Sequence, residues 1–369
     1  MALPPTILFA GGGTGGHLFP SIAVAQRLVE AGGPAARFLC SDRPIDRQIL
    51  TKAGVDFDTC PMEPLPTRPW HVPAFFKHLL TSRAAVKRMI RERNVRLVVT
   101  MGGFVSVPAA MAARAAGVPV LLVNLDAVPG RANRWIAARA DAVYSVYPSP
   151  ILPVGRTQPV PLPLRRSGLS GGDAKADRIA LGLDPEKQTL LITGASQGAK
   201  SINVAIIEMM KRAEFRAALA GWQVVHLAGE GLSGELPAVY ADAGVSAKVI
   251  EFCDTMGHAW GAADLAISRA GANSVAEVAA NAVPTVFLPY PYHKDQHQKL
   301  NASALVKADA AMRFEDLIEP GLNAESLSGP LMKLLTTAAL RESMRAKLHA
   351  MRPADGARIL AEAATRRCQ

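Results

Sequence analysis

What most constrains this chain is an alternation, run through twice, of short apolar β-rich segments with longer alanine-rich amphipathic ones. Parallel strands need a long crossover between them and a helix supplies it, so the pattern predicts βα units around parallel sheets. Strands are expected at Ile7–Ala10, Arg37–Cys40, Leu97–Thr100, Val118–Val123 and Ala142–Val146, with helices at Pro20–Ala31 and Val107–Ala116. From Tyr147 to Gly172 prolines and glycines cluster and periodicity fades, which marks a linker. A second series follows at Thr189–Thr193, Trp222–Ala228, Ala247–Glu251, Leu265–Ser268 and Thr285–Leu288. Leu340 to Arg367 reads as one or two helices interrupted near Pro353. The expectation is an α/β protein of two Rossmann-like parallel-sheet domains facing a cleft, residues 1–160 and 161–369, with the last helices able to pack back on the first domain. Ligands in such sheets gather at the carboxyl ends of the strands.

With 49% hydrophobic and 20% charged residues the chain can bury large cores, which argues against disorder. Its four cysteines show no close pairing and no ligand-like spacing with histidine, so neither a disulfide scaffold nor a zinc site is expected. Thr6–Ala10 runs straight into glycines without a preceding basic region, so a cleavable secretion signal is not expected. The most apolar long stretch, Val105 to Val123, carries Arg114, Gly117 and two prolines, and reads as helix then buried strand rather than a bilayer span. A formal charge of +10 predicts an anionic partner.

Gly11-Gly12-Gly13-Thr14-Gly15-Gly16-His17 links the first strand to a helix, where backbone amides can hold an anion. The same run satisfies G-x-G-x-x-G, and Asp42 after the second strand suits a ribose-binding acid, so a nicotinamide-dependent oxidoreductase is one reading and a plain tight turn another. His17 stands at the exit of the loop, where a positive helix end depresses its basicity. A neutral imidazole there suits a general base or a hydroxyl ligand, against a capping or packing role. In the second half, Thr193-Gly194-Ala195-Ser196-Gln197-Gly198-Ala199-Lys200 offers hydroxyl and amide donors to a phosphate. Further on, Ser268 to Glu277 again enters a helix, with Glu277 on a face shared with Asn273 and Ser274. A carboxylate so placed can accept both hydrogen bonds of vicinal ribose hydroxyls. Pro289 to Ala302 then forms a dense polar loop after a buried strand, where function often lies.

The motifs GGGTGGHLFP (Gly11 to Pro20), MGGFVSVP (Met101 to Pro108), GASQGAKSIN (Gly194 to Asn203), EFCDTM (Glu251 to Met256), SRAGANSVAE (Ser268 to Glu277) and HQKLNA (His297 to Ala302) occur in that order. On these the sequence resembles, over almost its whole length, the MurG family. These are the UDP-N-acetylglucosamine:undecaprenyl-pyrophosphoryl-MurNAc-pentapeptide N-acetylglucosaminyltransferases of bacterial peptidoglycan synthesis. The resemblance implies a GT-B architecture, with UDP-GlcNAc held mainly by the C-terminal domain and a polyprenyl-pyrophosphate-linked muramyl peptide by the N-terminal one. It also implies an inverting transfer without metal or cofactor, at the cytoplasmic face of the cell membrane. Thr14, Gly15 and Gly16, Ser196, Gln197 and Gly198, and Ala272, Asn273 and Ser274 then lie along the donor, Phe252 by the uracil, Glu277 on the ribose, and His297 and Gln298 by the sugar. Arg165, in Pro161-Leu162-Pro163-Leu164-Arg165, takes the place of an arginine that points to diphosphate. Gly102, Gly103, Asn124 and Asn133 fall on the acceptor side, and His17 is the leading base.

Two segments depart from the family pattern. Its usual His-Glu-Gln-Asn run is replaced here by Val123-Asn124-Leu125-Asp126, which leaves Asp126 as a substitute carboxylate, base or acceptor ligand. The segment before Arg165 lacks the usual glycine and asparagine. A related enzyme acting on another lipid, such as diacylglycerol, fits that profile, and a non-enzymatic lipid- or nucleotide-binding protein is a further alternative. Asp56-Phe57-Asp58 spells the D-x-D of metal-dependent glycosyltransferases, but it lies in an alternating strand pattern without a glycine loop and reads as a solvated strand face. Between Met62 and Arg96, apolar Leu65, Trp70, Val72, Phe75, Phe76, Leu79 and Leu80 mingle with Lys77, Arg83, Lys87, Arg88, Arg91, Arg93 and Arg96, which suits an anionic membrane surface as well as core packing. No nucleic-acid recognition motif accompanies the charge, so nucleic acid is not an expected partner.

Overall fold

The computed structural model describes residues 4–13, 15–66, 68–194, 198–292 and 294–368. The chain divides into two compact units: residues up to 165 together with those from 354 onward, and Arg166–Pro353.

The first unit contains β1 (Thr6–Ala10), α1 (Gly15–Glu30), β2 (Ala35–Ser41), α2 (Pro44–Lys52), β3 (Phe57–Cys60), α3 (Val72–Glu92), β4 (Val95–Thr100), α4 (Ser106–Ala115), β5 (Val120–Asn124), α5 (Arg131–Ala137), β6 (Ala142–Ser145) and β7 (Thr157–Pro159). Its seven strands lie in the order β3-β2-β1-β4-β5-β6-β7, and every neighbouring pair is parallel. The chain winds outward in both directions from β1 and β4, so the loops after those two strands flank the topological switch point. One sheet face packs Ile22, Val24 and Leu28 of α1 on Phe9, Phe38 and Leu121, and the other packs Val86 and Ile90 of α3 with Ala109 and Ala113 of α4 on Leu8 and Val98. Strands buried on both faces must be apolar throughout, which is why β1 and β5 read as continuous hydrophobic runs.

The second unit contains α6 (Ala174–Ala180), β8 (Gln188–Thr193), α7 (Lys200–Met210), α8 (Ala213–Ala218), β9 (Trp222–Leu227), α9 (Leu236–Asp242), β10 (Ser246–Ile250), α10 (Met256–Ala262), β11 (Leu265–Ser268), α11 (Ala272–Asn281), β12 (Thr285–Phe287), α12 (His297–Asn301), α13 (Ser303–Lys307), β13 (Met312–Arg313), α14 (Pro320–Thr336) and α15 (Ala338–Ala350). Its six-stranded order, β10-β9-β8-β11-β12-β13, repeats the same topology, again wholly parallel.

Two boundaries differ from the sequence expectation. Thr157–Pro159, inside the expected linker, is an edge strand, a position that tolerates proline because no ladder donor is needed on its open side. The unit boundary falls after Arg165 rather than at 160. The last helix, α16 (Gly356–Cys368), belongs to the first unit. Its alanine-rich stripe, with Leu360 and Cys368, completes the core face under α1. Asp355 pairs with the buried Arg27 of α1 at 2.8 Å.

Candidate active site

At the first switch point the loop after β1 meets the loop after β4. Gly102 and Gly103 take φ of +106° and +83°, the left-handed side of the map that a Cβ disfavours. A Cβ on Gly102 would lie 3.0 Å from Cδ2 and Nε2 of His17 and 3.3 Å from Oδ1 of Asn133; one on Gly103 would lie 3.4 Å from Nδ1 of His17. The paired glycines thus make a flat backbone wall for the imidazole. The Ser106 hydroxyl, buried at the start of α4, shares its one proton between the carbonyls of Gly102 and Ala10, both within hydrogen-bond distance, and joins the two loops. His17 Nδ1 faces the Gly12 carbonyl at 3.4 Å, and in the tautomer that carries its proton on Nδ1 the Nε2 lone pair remains basic. The half-buried imidazole is less basic than usual, chiefly through burial, with Asp126 the largest opposing influence, followed by the Gly12 contact and Asp46. Burial, rather than the helix end invoked from the sequence, is the leading cause.

Sequence reasoning missed Asp46, the residue that organises the glycine run. Wholly buried in α2, its Oδ2 accepts from the Gly13 amide at 2.7 Å, the Ser41 amide at 3.2 Å and the Ser41 hydroxyl at 2.6 Å. The Gly13 amide is therefore engaged by a protein carboxylate and is not offered to a ligand anion. The same carboxylate opposes a dinucleotide pyrophosphate at this turn, and Asp42 pairs with Arg47 at the surface instead of awaiting a ribose. No sequence signal marked Asp46, since it acts from the neighbouring strand–helix junction. Thr14 lies outside the described residues, and Gly15 and Gly16 form the first turn of α1.

Asn124 was expected to face the acceptor, yet it is 1% exposed. Its Nδ2 donates to the Asp126 carbonyl at 2.7 Å and to Ser145 Oγ at 3.0 Å, and its Oδ1 accepts from Asn133 Nδ2 at 3.0 Å. It is a loop organiser. Asn133 Oδ1, buried beside Gly102, has no hydrogen-bond partner among the described residues. Asp126 is half-buried, with its charge felt at His17. Arg165 closes the first unit with its guanidinium 3.8 Å from the centroid of the Phe19 ring of α1. The D-x-D carboxylate Asp58 is in β3 and pairs with Arg37 of β2, as a strand-face residue does.

In the second unit the turn after β8 approaches its neighbour closely. Gly198 takes φ of +69°, and a Cβ there would lie 2.4 Å from the Ala228 carbonyl oxygen. Ser196 and Gln197 lie outside the described residues. The buried Arg269 after β11 braces this end of the sheet: it pairs with Asp316 at 2.7 Å, and donates to the Leu288 carbonyl and to Ser201 of α7. Asp316, acidified by bonds from Ser201, Asn323, Ile318 and Arg269 despite its burial, stays ionised. α11 starts at Ala272 behind Gly271, which has no side chain to cap it, so its first-turn amides at Ala272, Asn273 and Ser274 carry the positive end of the helix. Glu277, farther along α11, accepts from the Trp260 indole at 3.0 Å. Phe252 is 47% exposed beside Cys253, whose thiol is held up by burial and, to a lesser degree, by the Glu277 charge. His297 Nδ1 lies 2.7 Å from Asp295 Oδ1. Gln298 Oε1 accepts from the Tyr290 amide at 2.9 Å, so that oxygen holds the preceding loop.

Both halves of the chain match known families: residues 7–145 the glycosyltransferase family 28 N-terminal domain, and residues 189–358 its C-terminal domain. The chain is 34% identical over 364 residues, 96% of each chain, to a Nocardioides protein named UDP-N-acetylglucosamine--N-acetylmuramyl-(pentapeptide) pyrophosphoryl-undecaprenol N-acetylglucosamine transferase. A protein of the same name from Geotalea daltonii is 32% identical, with 97% of each chain covered. Among solved structures, that of Acinetobacter baumannii MurG aligns with a TM-score of 0.73 at 25% identity, covering 98% of this chain and 99% of the other. The glycosyltransferase of kitacinnamycin aligns with a TM-score of 0.67 at 16% identity over the whole of both chains, a likeness of fold. Two parallel-sheet domains with these neighbours are the GT-B architecture. The chain is a glycosyltransferase of family 28 and belongs within it to the MurG family.

Proposed function

We propose that this protein transfers N-acetylglucosamine from UDP-GlcNAc to the C4 hydroxyl of undecaprenyl-pyrophosphoryl-MurNAc-peptide, the step from lipid I to lipid II in peptidoglycan synthesis. The observation that carries the reading is the end-to-end kinship, through both units, with enzymes bearing that name. In this reading His17 Nε2 takes the C4 proton as the oxygen attacks the anomeric carbon, and the bond to UDP breaks with inversion. Asp126 stabilises the resulting imidazolium, so the histidine is the base and the carboxylate its electrostatic partner. Asn133 Oδ1 suits a donor group of the acceptor. Glu277 receives the ribose hydroxyls, and the first-turn amides of α11, the stretch from Gly194 to Gly198 and Arg165 stabilise charge on the departing diphosphate.

A donor-by-acceptor panel, run with and without a metal chelator, tests this. Turnover of UDP-GlcNAc with the muramyl lipid is expected under both conditions. Turnover with diacylglycerol alone would reassign the acceptor, as the altered Asn124–Asp126 loop would then explain, and would leave the family and donor intact.

The protein also binds an anionic bilayer peripherally in this reading. Leu65, Trp70, Phe76 and Leu80 are 57%, 69%, 55% and 58% exposed near the start of α3, whereas Phe75 and Leu79 pack on the core. Toward the end of α3, Lys87, Arg91, Arg96 and Arg367 line a cavity of about 550 Å³ that no acidic side chain borders. No helix among the described residues is long and apolar enough to cross a membrane. Salt should weaken vesicle binding, and Lys87→Glu with Arg91→Glu should cost about 1 kcal/mol per charge. Equal sedimentation with neutral and anionic vesicles would remove the electrostatic contribution.

A further inference from the structure

The Glu277 carboxylate is held on two sides by groups that no sequence motif marks. On one side is Trp260 of α10, 1% exposed, whose indole N–H donates to Oε2 at 3.0 Å. On the other is the backbone of Gly168, where a Cβ would come within 3.2 Å of Oε1. Asn281 locks that second wall in place, donating from Nδ2 to the Gly168 carbonyl at 3.0 Å and to the Glu277 carbonyl at 2.9 Å while its Oδ1 accepts from the Ser170 amide at 2.8 Å. α10 is seated against the same segment, since Gly257 packs so closely on Leu169 that a Cβ would lie 2.3 Å from the Leu169 carbonyl oxygen.

A buried indole N–H must find an acceptor, and a carboxylate with about four lone-pair directions can take it and still accept from a ligand. We propose that Trp260 is a positioning residue for ribose recognition: its indole N–H fixes the rotamer of the Glu277 carboxylate so that the group accepts from the nucleotide's ribose hydroxyls. The inference rests on the ribose role proposed for Glu277. Trp260 does not touch the nucleotide. It removes the freedom of a half-exposed glutamate to swing away, and so converts a charge near the sugar into an oriented acceptor.

The signature is discrimination between ribose and deoxyribose, which a merely structural tryptophan would not set. Calorimetric titration with UDP and 2′-deoxy-UDP should give wild-type protein a preference for UDP of about 10–100-fold, the range for a hydrogen bond to a charged group. Glu277→Ala should bring that ratio near unity. Trp260→Phe should lower it about 3–10-fold while 2′-deoxy-UDP still binds, which also certifies the fold. An unchanged ratio in Glu277→Ala overturns the ribose reading and this proposal with it. An unchanged ratio in Trp260→Phe beside a collapsed one in Glu277→Ala overturns this proposal alone. Should Trp260→Phe fail to fold, the indole N–H resonances of the four tryptophans decide. One must move in Glu277→Ala and on addition of UDP, and the absence of such a resonance overturns the proposal.

Discussion

The two units wind the same sheet, yet the turns at their switch points are wired oppositely. In the first unit a buried carboxylate, Asp46, reaches the glycine run from behind and takes the Gly13 amide. That leaves the front of the turn to an imidazole laid on Gly102 and Gly103. In the second unit the buried charges behind the sheet end are an arginine and its partner, Arg269 and Asp316, which tie loops together. The N-cap of α11 there is Gly271, which has no side chain with which to cap it. In the proposed reading one topology serves two chemistries, proton removal in the first unit and anion binding in the second. A glycine-rich strand-to-helix turn does not by itself announce a phosphate; what lies behind it decides whether its amides are available.

The sharpest way to break this contrast is His17→Ala. If proton removal belongs to the first unit, kcat should fall about 10²–10⁴-fold while UDP affinity is retained. Wild-type turnover in that variant would dismiss the imidazole as base. The converse is Glu277→Ala, which should weaken UDP binding by about 1.5–3 kcal/mol, the worth of hydrogen bonds to a charged acceptor. Unchanged UDP affinity in a folded Glu277→Ala protein would take the nucleotide away from α11. Gly102→Ala comes next in size. The added methyl meets the His17 ring at 3.0 Å on a backbone with φ of +106°, so about 1–3 kcal/mol of strain is expected. Displacing the base should cost kcat about tenfold with UDP binding unaltered; full activity would show that the glycine wall does not position the ring.

Much of the fold was legible because strands buried on both faces must be written in continuous apolar runs: β1, β8 and β11 fall within a residue of their expected spans. The edge strand β7 was not legible, since an edge needs neither a buried face nor a full set of donors, and its Thr157-Gln158-Pro159 carries no apolar pattern. In the candidate sites, local signals were readable where a motif marks its own residue, and the structure places His17 behind glycines and Glu277 on a helix. Groups that act on those residues from other elements were not. Asp46, Arg269 with Asp316, and Trp260 are joined to their partners by tertiary packing, and no spacing rule reaches across it. The partners of Asn124 were not legible either, since Ser145 and Asn133 reach it through tertiary packing.

The smallest effects sharpen the comparison through two histidines. His17 is depressed below its ordinary 6.5 by burial and partly restored by Asp126. If it is the base it must work neutral, so kcat should stand on a plateau above pH 6.5 and fall as pH drops through the lowered value. Asp126→Asn removes the charge that raises its basicity, so the acid limb should move to lower pH and the plateau should decline modestly as the base weakens. A limb that stays in place would separate Asp126 from His17. His226, in the second unit, is buried between Tyr240 and Asn203 and pushed down to about 3 by burial alone. Its signature is stability, not rate. The unfolded chain binds a proton near 6.5 that the native state refuses, so the contribution is whole above that pH and is lost as pH falls toward about 3. Thermal melts of His17→Ala and wild type should therefore both show the acid-side decline of His226, somewhat larger in the wild type where the depressed His17 adds its own linkage, while only the wild type shows the kinetic limb. An acid decline that vanished with His17→Ala would place the protonation that governs stability in the first unit and end the division of labour between the two imidazoles.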